Sequence, residues 1–202
     1  IGVFGLTMLS MNAIAPVVVE ELAVRRGWSL AFAAASVGSL LCAGLSRFLD
    51  DGEHRPDRSA GLASLWRVAK RPDQLRSALV ISLVGSCFGS LFVFHQLYAI
   101  ELGMAEVQVF FVAYAAAAVA ARLGLGGLGD RFGRQRLASL MLVLYAAGAF
   151  GMTALAQVGL APLGALFGLA HGLFYPAYNA MAVESSPPGE RGMRMALFQG
   201  WF

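Results

Sequence analysis

The sequence predicts an all-α membrane protein, a multi-spanning bundle of helices, and three observations carry that reading. First, 58% of the 202 residues are hydrophobic and 13% are charged, whereas soluble domains hold about 45–50% apolar and about 25% charged residues. A chain of this length cannot hide such an apolar excess from water, so it needs lipid as solvent. Second, the apolar residues gather into six runs near the roughly 20 residues that cross a hydrocarbon core, followed by the start of a seventh. Third, the 15 basic residues segregate into alternate connections between those runs. That placement is a topology signal rather than a nucleic-acid-binding face, despite a net charge of +3.

The runs follow in order. Run a covers 1–19, run b 28–48, run c 77–100, run d 107–128, run e 137–157 and run f 160–183, and run g begins near Met193. Helix is the state expected of each, because backbone groups in lipid must be satisfied within their own segment and no alternating barrel pattern occurs. Pro162 falls in the first turn of run f, where its missing N–H costs little. Pro16 and Pro176 lie deeper and mark expected kinks. Cys42 and Cys87 both fall inside apolar runs and are read as buried free thiols, since neither disulfide nor metal-ligand spacing is present. The 24 glycines suit close helix packing, and Ser82, Gly85, Ser86, Gly89 and Ser90 read as a packing seam on run c.

Charge orients the bundle. The connections b–c (Arg47, Arg55, Arg58, Arg67, Lys70, Arg71, Arg76), d–e (Arg122, Arg131, Arg134, Arg136) and f–g (Arg191, Arg194) hold 13 of the 15 basic residues. Arg25 and Arg26 stand alone on the other side, offset by Glu20 and Glu21. The positive-inside rule therefore places 49–76, 129–136 and 185–193 in the cytoplasm, with a plasma (bacterial inner) membrane as the expected location. Within connection b–c, residues 50–58 read as a solvated linker. Leu62, Leu65, Trp66 and Ala69 then recur at helical spacing beside Arg67, Lys70 and Arg71, which predicts a short amphipathic helix on the membrane surface.

Polar residues inside spans are costly and usually face a cavity. His171, Tyr175 and Tyr178 on run f lie within about 60° of one another on the helical wheel, with Asn179 flanking them. Run c adds His95 and Gln96, run d adds Tyr114, and Gln199 lies early in run g. These are the expected substrate-pathway residues. No acid lies mid-span, which leaves His171 as the mid-span group suited to relay a proton, with protons a candidate coupling ion. His54, His95 and His171 sit on different elements with no adjacent acid, so no catalytic set, metal site or cofactor is expected.

The most specific motif is Gly126-Gly127-Leu128-Gly129-Asp130-Arg131-Phe132-Gly133-Arg134-Gln135-Arg136. Gly126 and Gly129 would let the end of run d approach a neighbouring backbone. Gly133 suits a tight turn between helices, and the Asp130 carboxylate would meet the positive N-terminus of another helix. Arg131, Arg134 and Arg136 hold the loop on the inner side. This spacing resembles the signature loop of the major facilitator superfamily at Gly126, Leu128, Asp130, Arg131, Gly133, Arg134 and Arg136, with Gly129 in place of an alanine. Pro16 through Phe32 resembles the junction of that family's fifth and sixth helices, and Gly172 through Gly192 its tenth helix and exit.

The resemblance implies that runs a to g are helices five to eleven of twelve in a longer chain. Residues 1–48 would then be the last two helices of an N-terminal half, and 49–76 the inter-half linker. Residues 77–202 would hold four complete helices and the start of a fifth from the C-terminal half. It further implies a secondary transporter of a small solute, an exporter being one option, that works by alternating access. The motif loop would be a gate whose Asp130 meets the start of run a. Residues 13–19 lack the glycines of the drug–proton antiporter signature. The rival readings are a non-transporting receptor or assembly factor of the same fold, and a membrane-embedded lipid-modifying enzyme.

Overall fold

A computed structural model describes residues 2–48, 61–187 and 189–202, and within the first helix the side chains of residues 11, 14, 15 and 17–26. The described residues fold into ten α-helices: α1 Gly2–Arg26, α2 Trp28–Ser46, α3 Leu62–Ala69, α4 Pro72–Glu101, α5 Val109–Leu125, α6 Leu128–Phe132, α7 Arg134–Gly151, α8 Leu155–Val158, α9 Leu160–Glu184 and α10 Arg191–Trp201. A 3-10 turn at Met152–Ala154 joins α7 to α8. Four stretches are long and apolar enough to cross a membrane, namely Trp28–Ser46, Pro72–Glu101, Arg134–Val158 and Leu160–Glu184, and the apolar α5 is shorter.

Several boundaries differ from the hydropathy pattern for local reasons. α4 begins at Pro72 rather than 77. Proline at the first helical position and Asp73 in the first turn both favour a helix start, so charged residues ride on its opening turns. α1 runs on to Arg26 rather than stopping at 19, with Arg25 bonded to Glu21 one turn back. Run d ends at Leu125, and the motif forms its own short helix, α6. α7 opens at Arg134, directly after Gly133, whose φ of 87° belongs to glycine.

α9 is the centre of the bundle, packed between α5 and α7, while α10 leans on α4 and α9, and α1 covers α5 and carries α2. α5 and α9 run in the same direction and touch backbone to backbone. A Cβ built on Gly164 would stand 2.5 Å from the Phe110 carbonyl oxygen; on Gly168, 2.0 Å from that of Tyr114; and on Gly172, 2.8 Å from that of Ala118. Gly-x3-Gly-x3-Gly thus lays one bare ridge of α9 along α5, the close approach that membrane helices use in place of a hydrophobic drive.

The expected seam on α4 is only partly seen. Gly85 faces the Phe202 backbone and Ser82 Oγ donates to the Trp201 carbonyl at 3.2 Å, but Gly89 faces open space. Around α9, rings from α4 (Phe88, Phe92), α5 (Phe110, Tyr114) and α7 (Tyr145) gather on Phe167, with centroids 4.4–6.4 Å from it. Elsewhere large apolar side chains face outward, among them Leu40 (72% exposed), Val143 (64%) and Phe150 (77%). Such a surface suits hydrocarbon.

Both cysteines are free, but neither is buried as expected: Cys87 is half-buried, and Cys42 is exposed because α2 packs on α1 alone among the described elements with substantial contact. In α3 the residue turned inward is Val68, while Leu62 (86%) and Trp66 (64%) face out and the Lys70 ammonium lies 5.0 Å over the Trp66 ring. The solvated linker expected at 50–58 lies outside the described residues.

Candidate functional site

The polar face expected on α9 converges with other elements around His171. The ring is buried, and its Nδ1 sits 2.5 Å from the Tyr145 hydroxyl of α7. Phe88 packs at 4.9 Å, Tyr175 stacks at 5.5 Å, and Tyr114 and Phe202 lie at 5.9 and 6.1 Å between centroids. Three neighbouring helices, α4, α5 and α7, and the residue that follows α10 therefore meet at His171. One turn on, the Tyr175 hydroxyl donates to Gln199 Oε1 at 2.9 Å, and Tyr178 donates to Ser77 Oγ at 3.2 Å. Two buried polar atoms here have no hydrogen-bond partner, the Tyr114 hydroxyl and Asn179 Oδ1. Unsatisfied groups are rare in packed interiors.

His95 and Gln96 are not part of this cluster. His95 is buried under Phe110 and Phe111, with centroids 4.1 and 4.9 Å away, and its Nδ1 contacts the Leu91 carbonyl of its own helix at 2.6 Å. Gln96 is exposed. Of the expected pathway set, the structure brings together Tyr114, His171 and Tyr175; Tyr178 shares Phe198 with Tyr175, and Asn179 follows it on α9.

Arg122, assigned from sequence to a loop edge, belongs with them. Proline at 176 has no N–H, so the carbonyl of Gly172 loses its normal helical donor four residues on. Arg122 Nε supplies the bond from α5 at 3.2 Å. Gly172 is the middle residue of α9, so the guanidinium reaches half way along the helix. Tyr145 and Gly164–Gly168–Gly172 were likewise not identified from sequence. The glycine spacing was a legible signal, whereas nothing in run e marks Tyr145 out from other apolar-run aromatics.

At the arginine-rich end, the motif loop is pinned to α9. Arg134 bonds Asp130 at 3.0 Å and also grips Glu184, the last residue of α9. Asp130 itself is 72% exposed in its side chain. It pairs with Arg134 instead of capping a helix, because Arg134 lies one turn on and opens α7. The partner expected at the start of run a lies outside the described side chains. Gly129 meets side chains, Arg134 Cγ at 3.4 Å and Leu137 Cδ2 at 3.7 Å, and Gly126 meets its own helix at the Arg122 carbonyl, 2.6 Å, so neither glycine approaches a neighbouring backbone as expected. Leu128 packs at the core edge, and Arg131 and Arg136 are exposed.

A second charged set ties the start of α4 to α10. Arg71 grips Glu190 at 2.8 and 2.9 Å, and the buried Arg194 bonds Asp73 at 3.0 Å. Asp73 and Arg194 line a cavity of about 290 Å³ together with Ser77, Tyr178 and Ser185. No curated protein and no solved structure matches the chain. A family model does, over residues 1–202, and its description is Major Facilitator Superfamily.

Proposed function

The chain belongs to the major facilitator superfamily, a family of integral-membrane transporters of small molecules, and from that premise we propose that it serves a secondary active transporter working by alternating access. The observation that supports this best is Arg134. It joins Asp130 of the motif loop to Glu184 at the end of α9, the helix that carries His171, Tyr175 and Tyr178. One ion-pair bridge thus links the arginine-rich end to the polar cluster at the helix midpoint. In this reading the bridge stabilises one access state, and the cluster of Tyr114, His171, Tyr175, Tyr178 and Asn179 contacts the solute where such sites sit, near the bilayer midplane. His171, held by Tyr145, is the mid-span candidate for a proton relay. The basic excess on residues 49–76, 129–136 and 185–193 supports a cytoplasmic placement for that end, in a plasma or bacterial inner membrane.

Asp130→Asn in the full-length protein tests the gate. Inserted protein at normal yield with clearly reduced counterflow is expected, since the substitution removes the charged end of the bridge between the motif loop and α9. Counterflow equal to wild type would refute the gating role.

A further inference from the structure

We infer that Arg122 is the receptor for an anionic group on the transported solute, which makes the substrate class an organic anion with a planar apolar body. The word "transported" rests on the reading above; the anion site stands on its own observations.

Arg122 carries five N–H donors in a fixed fork, and the Nε bond to the Gly172 carbonyl uses one. Among the described residues no carboxylate pairs with it, although Arg25, Arg71, Arg134 and Arg194 all have acid partners. It is also only partly exposed. A cation inside a membrane bundle without a counter-ion is expensive, and such residues are found where a pathway needs them. Capping a proline-vacated carbonyl explains the Nε bond but not the charge, because a hydroxyl or a water does that task elsewhere.

The bond instead sets the direction of the guanidinium. Held at Nε, the two terminal nitrogens form the half of the fork that matches a carboxylate or phosphonate bidentately. The groups around it suit the rest of such a solute. The Gly172 carbonyl that holds the guanidinium follows His171 on α9, and the His171 ring stacks on Tyr175 at 5.5 Å, lies 5.9 Å from Tyr114 and packs on Phe88 at 4.9 Å. Apolar ring faces beside a single cation select a flat organic body with one negative head. The unpartnered Tyr114 hydroxyl offers that head a further donor.

The test uses full-length protein in phosphatidylcholine nanodiscs, with no anionic lipid to supply the charge. The probes are benzoate, phenylphosphonate and the neutral isostere benzamide. Both anions should raise the unfolding temperature of the wild type, and benzamide should not. Arg122→Gln should weaken benzoate binding by at least about tenfold, the loss of one charge-assisted contact.

The double variant Arg122→Gln with Pro176→Ala separates the two roles. Alanine returns an N–H to the Gly172 carbonyl, so this variant should fold as well as wild type yet ignore both anions. An equal shift with benzamide, no shift with either anion, or an anion response kept by the double variant would each overturn the assignment. Anion stabilisation without counterflow of labelled benzoate would remove the transporter reading and keep the site. Counterflow of benzoate unchanged in the double variant would do the reverse.

Discussion

Changing Gly168 to alanine gives the sharpest test of the packing, because two physical effects predict opposite signs. On helix propensity alone, glycine to alanine in a helix interior stabilises by about 0.5–1 kcal/mol. The α5–α9 seam reverses this. The new Cβ would lie 2.0 Å from the Tyr114 carbonyl oxygen, 2.8 Å from its carbon and 2.9 Å from its Cα. A comfortable carbon–oxygen contact is about 3.3–3.6 Å, so α9 must retreat by roughly 1.5 Å. Backbone cannot swing aside as a side chain does.

A gap of about 1 Å forfeits about half of each dispersion contact, and the flanking approaches at Gly164 and Gly172 open with it. Overpacking of this kind costs about 1–3 kcal/mol, and the unyielding carbonyl puts Gly168→Ala at the upper end. For a unit of about 150–250 residues that unfolds together, this lowers the unfolding temperature by roughly 6–12 °C. The control is Gly89→Ala on α4, where nothing lies within 4 Å; it should be neutral or gain up to about 1 kcal/mol. Fluorescence-monitored thermal unfolding of purified full-length protein in detergent reads both. Gly168→Ala at or above wild-type stability would refute the seam.

Tyr145→Phe removes the one bond to His171 Nδ1 and leaves a buried ring nitrogen unsatisfied, at a cost of about 1–3 kcal/mol, read by the same unfolding assay. Gly133→Ala forces a side chain to φ 87° between α6 and α7, and should cost about 1–3 kcal/mol without touching the ion pairs; Gln135→Ala beside it should be neutral. With Cys42 and Cys87 replaced by serine, thiols introduced at Ala105 and Gln135 should react with impermeant maleimide from opposite faces of the membrane. Reaction of both from the same face would contradict the charge-derived topology.

Much of the fold was legible because lipid imposes length. Hydropathy bounds run f at 160–183 and α9 spans Leu160–Glu184; it bounds run b at 28–48 and α2 spans Trp28–Ser46. The motif also marked its own turn, since Gly133 has the backbone only glycine readily adopts. What stayed hidden depended on partners. Whether Ser and Gly at 82–90 or Gly at 164–172 form the tight seam depends on which helix arrives opposite. Arg122 looked like a loop-edge charge because the carbonyl that draws it inward is exposed by a proline 54 positions later, on another helix. The same limit applied to His95, which counted among the expected pathway residues in the outer part of its helix but is covered by two phenylalanines from α5.

The Arg122–Gly172 bond also constrains how the protein is made. Its partners are 50 residues apart, and a ribosome adding about 5–20 residues per second needs roughly 3–10 s to bridge that distance. For that interval α5, short and bearing a cation near its end, waits without the helix that completes it. The guanidinium must bide its time in the headgroup layer or within the insertion channel, then turn inward when α9 arrives.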